Sequence, residues 1–103
     1  MKMLVVIAAM SVSMMVAANA QAQEALAKSS GCMNCHAVDT KKVGPAFKDV
    51  AAKYKGNAKA QAMLEEKVKK GGVGVWGQVP MPPNSAVKDE DIKKLVAWVL
   101  SLK

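Results

Sequence analysis

Five consecutive residues, Cys32-Met33-Asn34-Cys35-His36, contain both cysteines and the only histidine of the chain. Metal-binding and nucleophilic side chains this close together constrain the fold, because the rest of the chain must be arranged around whatever they hold. Three kinds of site use such residues: a zinc site, a dithiol redox centre and a covalent haem attachment.

The zinc site and the dithiol centre each lack a required part. Zinc takes three or four protein ligands, usually from two separated pairs, and this sequence has no second pair of Cys or His. A redox C-x-x-C occurs near a βαβ pattern, and no convincing strand pattern is present. Haem attachment needs only what the motif offers, since two thiols add to the vinyl groups and the following histidine lies beneath the iron. We therefore expect one covalently bound haem c, held by Cys32 and Cys35, with His36 as an axial ligand.

A second axial ligand is needed for a six-coordinate iron, and a methionine thioether is common in that position in electron-carrying cytochromes. Met33 lies inside the attachment loop, and Met63 lies on the apolar side of a predicted helix, where core packing is its usual role. Met81 lies between Pro80 and Pro82-Pro83, whose fixed φ angles favour a rigid loop. The sequence therefore predicts Met81 as the second ligand.

Four helical patterns follow one another after residue 20. They cover approximately residues 23–30, 46–54, 58–70 and 89–102. Gly31 can take the left-handed cap position after the first helix. The last pattern has an apolar face made of Ile92, Leu95, Val96, Val99 and Leu102. Residues 71–88 contain three of the four prolines and predict a long irregular connection, which is typical of a functional loop.

Charges at the start of the last helix support its boundary. Asp89, Glu90 and Asp91 fall in the first turn, where negative charge is favoured by the helix dipole. The pairs Asp89–Lys93 and Glu90–Lys94 have the i,i+4 spacing that allows ion pairing on a helix.

The first residues of the chain predict export. Met1 and Lys2 are followed by a long uncharged apolar run and by Ala18-Asn19-Ala20, a pattern typical of a secretory signal peptide. We expect cleavage after residue 20, or after residue 22 as the alternative, leaving a single domain over residues 21–103 in the periplasm. An uncleaved membrane anchor is the other interpretation, but polar residues dilute the run. After cleavage we expect no stable membrane insertion.

The net charge of the chain is +7, and every basic side chain other than the histidine is a lysine. Because the lysines are scattered and lack the arginines and interleaved aromatics of groove readers, we expect no nucleic-acid partner. Lys28, Lys41 and Lys42 lie close in sequence to the attachment cysteines and predict a basic rim that steers acidic protein surfaces. For any one lysine, solubility is the simpler role.

Three stretches together resemble a known family. GCMNCHAVDTKKVGPAFKDVAAKY, GVWGQVPMPPN and the terminal LVAWVLSLK are similar to the small bacterial class I c-type cytochromes of the cytochrome c-551/c-552 group. The resemblance implies an all-α fold, the small class I cytochrome c fold, with four or so short helices wrapped around one covalently bound haem. It also implies that the Pro45 carbonyl holds the His36 ring, that Trp76 bonds a haem propionate and that Asn84 orients Met81.

The same resemblance implies an electron carrier and not an enzyme. Its expected partners are redox proteins with acidic docking surfaces, such as a nitrite reductase, a terminal oxidase or a cytochrome bc1-type donor. We expect a monomer, because a carrier must dock and leave quickly, and contacts of this kind are small.

Other function classes stay open at this point. If Met81 leaves the iron, an open site would make the chain an enzyme or a gas sensor, although no second histidine is available as a distal acid or base. A haem-free thiol or metal-binding module would not explain why CMNCH occurs together with VPMPPN. The four-helix-bundle class of c cytochromes carries its attachment motif near the C-terminus, whereas here the motif lies near the expected mature N-terminus.

Overall fold

The computed structural model describes residues 20–103. The predicted signal peptide, residues 1–20, therefore lies almost entirely outside the described residues, and its cleavage stays a prediction. The helices of the described part are α1 over 20–29, α2 (Phe47–Lys53), α3 (Ala60–Lys70) and α4 (Asp89–Ser101). A short 3-10 turn, Cys32–Asn34, lies between α1 and α2. The predicted all-α fold is confirmed, with the helix ends displaced by a few residues.

Helix α4 occupies the centre of the packing, because it contacts both α2 and α3. Its buried side chains are Ile92, Leu95, Val96 and Trp98. Trp98, which the predicted apolar face left out, meets Phe47 of α2 edge to face, with ring centroids 5.6 Å apart and planes at 75°. Ala27 of α1 packs into the same cluster, so three of the helices share one core.

The first turn of α4 carries Asp89, Glu90 and Asp91, as predicted. Asp89, however, pairs with Lys69 of α3 at 2.9 Å. The same Lys69 ammonium donates to the carbonyl oxygen of Val87 at 3.0 Å, so one cation bridges α3 and the approach to α4. Neither of the predicted i,i+4 pairs of α4 is among the ion pairs of residues 20–103. For Asp89, a tertiary partner takes the place of the local one, and the same cation satisfies two oxygen acceptors.

Residues 71–88 form the predicted irregular connection, and it is fixed to α3. Gly72 and Met81 form an isolated antiparallel bridge, which is the only β pairing in the described part of the chain. Both the backbone N–H and the side-chain amide of Asn84 donate to the carbonyl oxygen of Val68 in α3, each at 3.0 Å. The connection is therefore held at more than one point along its length.

The buried core of the described residues contains many small side chains. Within residues 20–103, the buried hydrophobic side chains include four alanines, Ala27, Ala46, Ala51 and Ala60. Small domains with little apolar core usually need a disulfide, a metal or another group to stabilise them. None of the described helices has the length and hydrophobicity needed to cross a bilayer.

Candidate functional site

A cavity of about 340 Å³ lies between the attachment segment and the irregular connection. This volume falls in the range of small-molecule pockets, about 300–1,000 Å³. From the attachment segment and the turn after it, the walls include Cys32, Cys35, His36, Gly44 and Pro45. From the irregular connection they include Val73, Val75, Trp76, Val79 and Met81. Helices α2, α3 and α4 complete the lining with apolar side chains, among them Val50, Leu64, Val68, Leu95 and Val96. One cavity thus brings together residues that the sequence predicted separately.

The two cysteines are presented to this cavity by a tight turn. Gly31 opens the turn with φ 84°, a left-handed conformation that glycine adopts without strain. The N–H groups of Cys35 and His36 both donate to the carbonyl oxygen of Cys32, at 3.2 Å and 2.9 Å. In 3-10 geometry the side chains at i and i+3 lie on the same side, so the two half-buried thiols face the cavity together.

The imidazole of His36 is held from several directions. Its Nδ1 lies 2.8 Å from the carbonyl oxygen of Pro45. A carbonyl oxygen can only accept, so Nδ1 carries the proton and the lone pair of Nε2 is left available. Phe47 stacks on the ring, with centroids 4.9 Å apart and planes at 22°. A histidine oriented in this way by a backbone carbonyl is typical of a metal ligand.

Gly44 is a site residue that the sequence analysis missed. Its N–H donates to the carbonyl oxygen of Cys35 at 2.7 Å, which draws the turn before Pro45 against the attachment segment. A Cβ on Gly44 would lie 2.5 Å from Cε1 of His36, so the backbone runs directly against the imidazole. The available signal was the Gly-Pro pair shortly after the motif histidine, but its spacing alone does not predict a contact.

Met81 is half-buried, and both of its backbone hydrogen-bonding groups are paired with Gly72. The amide of Asn84 donates to the carbonyl oxygens of Val68 and Pro82, at 3.0 Å and 3.3 Å. Asn84 is thus bonded to the backbone next to Met81 and to α3, and any influence on the thioether would act through the loop. Met63 is also half-buried but does not line the cavity.

Trp76 lies at the cavity wall and keeps 42% of its surface exposed. The ammonium of Lys53 in α2 lies 5.6 Å from the centre of the Trp76 ring and 5.8 Å from that of Tyr54. Lys41 and Lys67 also line the cavity, so cations border its edge and suit a ligand with carboxylate groups. The predicted bond between Trp76 and a haem propionate is compatible with this placement and stays a prediction.

The three lysines predicted to dock partners are all exposed. Lys41 lines the cavity, and the ammonium of Lys42 donates to the carbonyl oxygen of Met33 in the attachment turn at 3.0 Å. Lys28 lies in the last turn of α1, before the attachment turn. These positions place Lys41 and Lys42 beside the attachment segment, and their role in docking stays a prediction.

The geometry gives no support to the zinc and dithiol alternatives. Burial raises the pKa of the Cys32 thiol, and a backbone hydrogen bond opposes this effect. Redox-active cysteines depend on a lowered pKa, which provides the thiolate. Among residues 20–103, no group of three or more His, Cys, Asp and Glu side chains is arranged to hold a metal ion. A pair of adjacent thiols, an imidazole with a free Nε2, a thioether and an apolar cavity do fit a haem.

Comparison with known proteins gives the same result. The family model for cytochrome c matches residues 20–103. Cytochrome c-551 of Allochromatium vinosum is 59% identical over 90 residues, which cover 87% of this chain and 96% of that protein. Cytochrome c-551 of Pseudomonas aeruginosa is 56% identical over 84 residues, covering 82% of this chain and 80% of that protein.

Solved structures share the fold as well. The crystal structure of Nitrosomonas europaea cytochrome c552 aligns with a TM-score of 0.76 at 54% identity, over 78% of this chain and 99% of that one. The class 1 cytochrome MtoD of Sideroxydans lithotrophicus aligns with a TM-score of 0.65 at 38% identity, over 79% of this chain and 92% of that one. The chain therefore belongs to the cytochrome c family and is a small electron-transfer protein, not an enzyme, with a covalently bound haem c.

Proposed function

We propose that this protein carries single electrons in the periplasm and that His36 and Met81 are the two axial ligands of its haem iron. The observation that carries the proposal is that Cys32, Cys35, His36 and Met81 line one apolar cavity. Cys32 and Cys35 would form the thioether links. The iron supplies the chemistry, a one-electron change between Fe(II) and Fe(III), and the protein positions its ligands and sets their surroundings.

His36 would act as the proximal ligand through Nε2. Its Nδ1 proton is held by the Pro45 carbonyl at 2.8 Å, which fixes the tautomer that leaves Nε2 unprotonated. Donation of this proton to an acceptor also makes the ring a stronger electron donor. The contact with Phe47 and the backbone of Gly44 limits the motion of the ring, so the ligand is in place before and after the electron moves.

Met81 would act as the distal ligand through its thioether, which favours the reduced state of the iron and raises the reduction potential. The backbone N–H and the carbonyl oxygen of Met81 are both hydrogen-bonded to Gly72, and the neighbouring prolines fix the local φ angles. Because the loop is held in this way, the same pair of ligands can serve both oxidation states. Little has to rearrange during transfer, which favours a fast exchange of electrons.

The residues that line the cavity favour an electron carrier over an enzyme or a gas sensor. If His36 and Met81 both hold the haem iron, oxygen or peroxide would have no place to bind to it. The residues of the described chain that line the cavity include no Asp or Glu and no histidine besides His36, so a carboxylate or a second imidazole is not available there as an acid or base. The apolar lining would disfavour the additional positive charge of Fe(III) and so would also raise the reduction potential.

Localisation and partners complete the proposal. The signal pattern at residues 1–20, with residue 22 as the alternative end, supports export of the domain 21–103 to the periplasm. Without Lys2 the domain 21–103 has 14 lysines against 8 acidic residues, a net charge of +6, and this charge together with the exposed Lys28, Lys41 and Lys42 supports docking to acidic redox proteins. The partner would be a nitrite reductase, a terminal oxidase or a cytochrome bc1-type donor. The protein would act as a monomer, because contacts between a carrier and its partners are small and brief.

The first experiment is an absorption spectrum of the protein purified from the periplasm, oxidised and then reduced with dithionite. We expect a low-spin c-type spectrum with the weak sulfur-to-iron band at the red end, and loss of that band in Met81→Ala. Met63→Leu is the matched control, because Met63 is equally half-buried but lies outside the cavity, and this variant should keep the band. A high-spin spectrum with ready CO binding would favour the enzyme or sensor alternative, and absence of haem would refute the proposal.

The export proposal has its own test. Periplasmic and cytoplasmic fractions are compared by haem staining, and the intact mass of the purified protein gives the cleavage position. We expect the haem-containing protein in the periplasmic fraction. Its mass should correspond to a chain that begins at residue 21 or at residue 23. A full-length mass in the membrane fraction would show an uncleaved anchor instead.

A further inference from the structure

We propose that Gly44 and Phe47 are positioning residues that together set the plane of the His36 imidazole. The proposal rests on His36 being an axial ligand. It goes further than ligand identity, because it names the residues that decide how the ring is rotated about its bond to the iron.

The hydrogen bond to Pro45 restricts this rotation, but only through one atom of the ring. Nδ1 lies 2.8 Å from the carbonyl oxygen, and a hydrogen bond tolerates a spread of distances and angles. Contacts against the body of the ring narrow the orientation further. The structure provides such contacts from a backbone segment and from an aromatic side chain.

The backbone contact comes from Gly44. A Cβ at this position would lie 2.5 Å from Cε1, 2.9 Å from Nδ1 and 3.1 Å from Nε2 of His36. Gly44 is not among the glycines with positive φ in the described chain, so a left-handed backbone conformation is not what requires glycine here. The imidazole is therefore the group that excludes a side chain here. This separates Gly44 from Gly31, which has a positive φ.

The aromatic contact comes from Phe47, whose ring stacks on the imidazole at a centroid distance of 4.9 Å and an angle of 22°. Phe47 is itself 7% exposed and meets Trp98 of α4 edge to face at 5.6 Å. The plane of the imidazole is thus coupled through Phe47 to the central helix of the fold. Rotation of the ring would have to displace a buried side chain or the backbone at Gly44.

The ring plane matters because the π orbital of an imidazole is perpendicular to the ring. Its direction decides which iron d orbital it overlaps in the ferric state, and so determines the magnetic anisotropy of the iron. A change of ring plane is therefore visible by spectroscopy even when the ligands and the fold are unchanged. This gives a readout that a purely structural role would not move.

The direct test uses the unaltered holoprotein. In NMR spectra of the diamagnetic ferrous protein, we expect nuclear Overhauser contacts from the Hα protons of Gly44 to the Hε1 proton of His36, and from the Phe47 ring to the imidazole. Absence of both contacts in an assigned spectrum would overturn the proposal, whatever the variants do.

The second test uses Gly44→Ala, studied by electron paramagnetic resonance of the ferric protein and by the order of its haem methyl resonances. We expect a shifted largest g value and a reordered methyl pattern. Gly56→Ala is the control, because its φ is +78°, nothing lies within 4 Å of the added carbon and Gly56 does not line the cavity, so it strains the backbone without contacting His36. Equal spectra for Gly44→Ala and the unaltered protein would refute the role of Gly44.

If Gly44→Ala accumulates without haem, two substitutions of Phe47 test the proposal instead. Phe47→Tyr keeps the stacked ring and should retain the g values, whereas Phe47→Leu removes it and should shift or broaden them. Identical spectra for both variants would refute the role of Phe47. The unaltered protein separates this proposal from the ligand assignment, since absence of a His/Met low-spin spectrum there would contradict the proposed function itself.

Discussion

Gly72 and Met81 exchange both of their backbone hydrogen bonds, at 3.1 Å from the Gly72 N–H and 2.7 Å from the Met81 N–H. The pair fixes the segment that carries the thioether to the chain just after α3. Gly71, at the end of α3, has φ 80° and lies so close to this segment that there is no room for a side chain. The position of Met81 therefore depends in part on Gly71, which is not among the residues that line the cavity.

Gly71→Ala should displace the Met81 loop. The added Cβ would lie 2.5 Å from the Met81 carbonyl oxygen and 3.0 Å from the Pro83 nitrogen, so the loop has to move. We expect a weakened sulfur-to-iron band and a loss of at least about 1–2 kcal/mol of unfolding free energy, because alanine is disfavoured at positive φ. Absorption spectra and denaturant unfolding measure the two effects.

Gly56→Ala is the control for this substitution. Gly56 also has a positive φ, +78°, but nothing lies within 4 Å of an added carbon. It should lose stability through the backbone and keep the sulfur-to-iron band. An equal loss of the band in both variants would show that general destabilisation, and not displacement of the loop, releases the thioether.

Asn84→Ala should loosen the same loop by another route. It removes the donor to the Val68 and Pro82 carbonyl oxygens and leaves the backbone bond from Asn84 to Val68 in place. We expect a loss of about 1–2 kcal/mol in unfolding free energy, since each net hydrogen bond contributes about 0.5–1.5 kcal/mol. Added imidazole should also bind the ferric iron more tightly, because Met81 is displaced more easily. Ser85→Ala, at an exposed neighbouring position, should change neither quantity.

Lys53→Gln should weaken the attachment of Trp76 to α2. The Lys53 ammonium is the cation over the Trp76 and Tyr54 rings, and such contacts at exposed sites contribute about 0.5–1 kcal/mol. We expect a loss of that size in denaturant unfolding, with Lys53→Arg retaining most of it. Lys55→Gln removes a charge from an exposed position two residues further on and should have a smaller effect. Equal losses in Lys53→Gln and Lys55→Gln would mean that only net charge matters.

Neutralising Lys28, Lys41 and Lys42 together, each to glutamine, should slow association with an acidic redox partner. Electrostatic steering acts over about 8–10 Å at moderate ionic strength, so the dependence of the rate on salt should also become less steep. Stopped-flow electron transfer measures both quantities. The control neutralises Lys70, Lys93 and Lys94, which are exposed on α3 and α4 and do not line the cavity. If the two sets give the same rates, the basic rim has no special role.

The parts of the site that lie within one short stretch could be predicted from the sequence. Cys32, Cys35 and His36 are nearly consecutive, and their order and spacing indicate haem attachment before any fold is known. The helices follow from apolar periodicity, which depends only on neighbours along the chain. Covalent haem and the cytochrome c fold are confirmed by the family and its relatives.

The remaining features depend on contacts between distant segments, which local patterns do not contain. Asp89 was predicted to pair within α4 but pairs with Lys69, because α3 lies beside the start of α4. The amide of Asn84 bonds to the carbonyl oxygens of Val68 and Pro82, contacts that the sequence does not predict, and its role in orienting Met81 stays a prediction. Gly44 looked like an ordinary turn residue, and only the folded path of the chain brings it against His36.

Removal of the haem should unfold most of the domain. In a double variant with Cys32→Ala and Cys35→Ala, purified without haem, the cavity of about 340 Å³ would have no occupant. At about 24 cal/mol per Å³, an empty cavity of that size costs on the order of 8 kcal/mol, and water entering its open side lowers this figure. That cost is comparable with the whole stability of a small domain, about 5–15 kcal/mol.

Far-UV circular dichroism and denaturant unfolding test this prediction. The double variant should lose most of its helical signal and its cooperative transition, because a core with four alanines among its buried side chains has little else to hold α2, α3 and α4 together. Met81→Ala is the matched control, since it keeps the covalent haem and loses only a ligand, and it should remain helical. A haem-free double variant with full helicity and a cooperative transition would contradict the prediction and show that the helices fold without the cofactor.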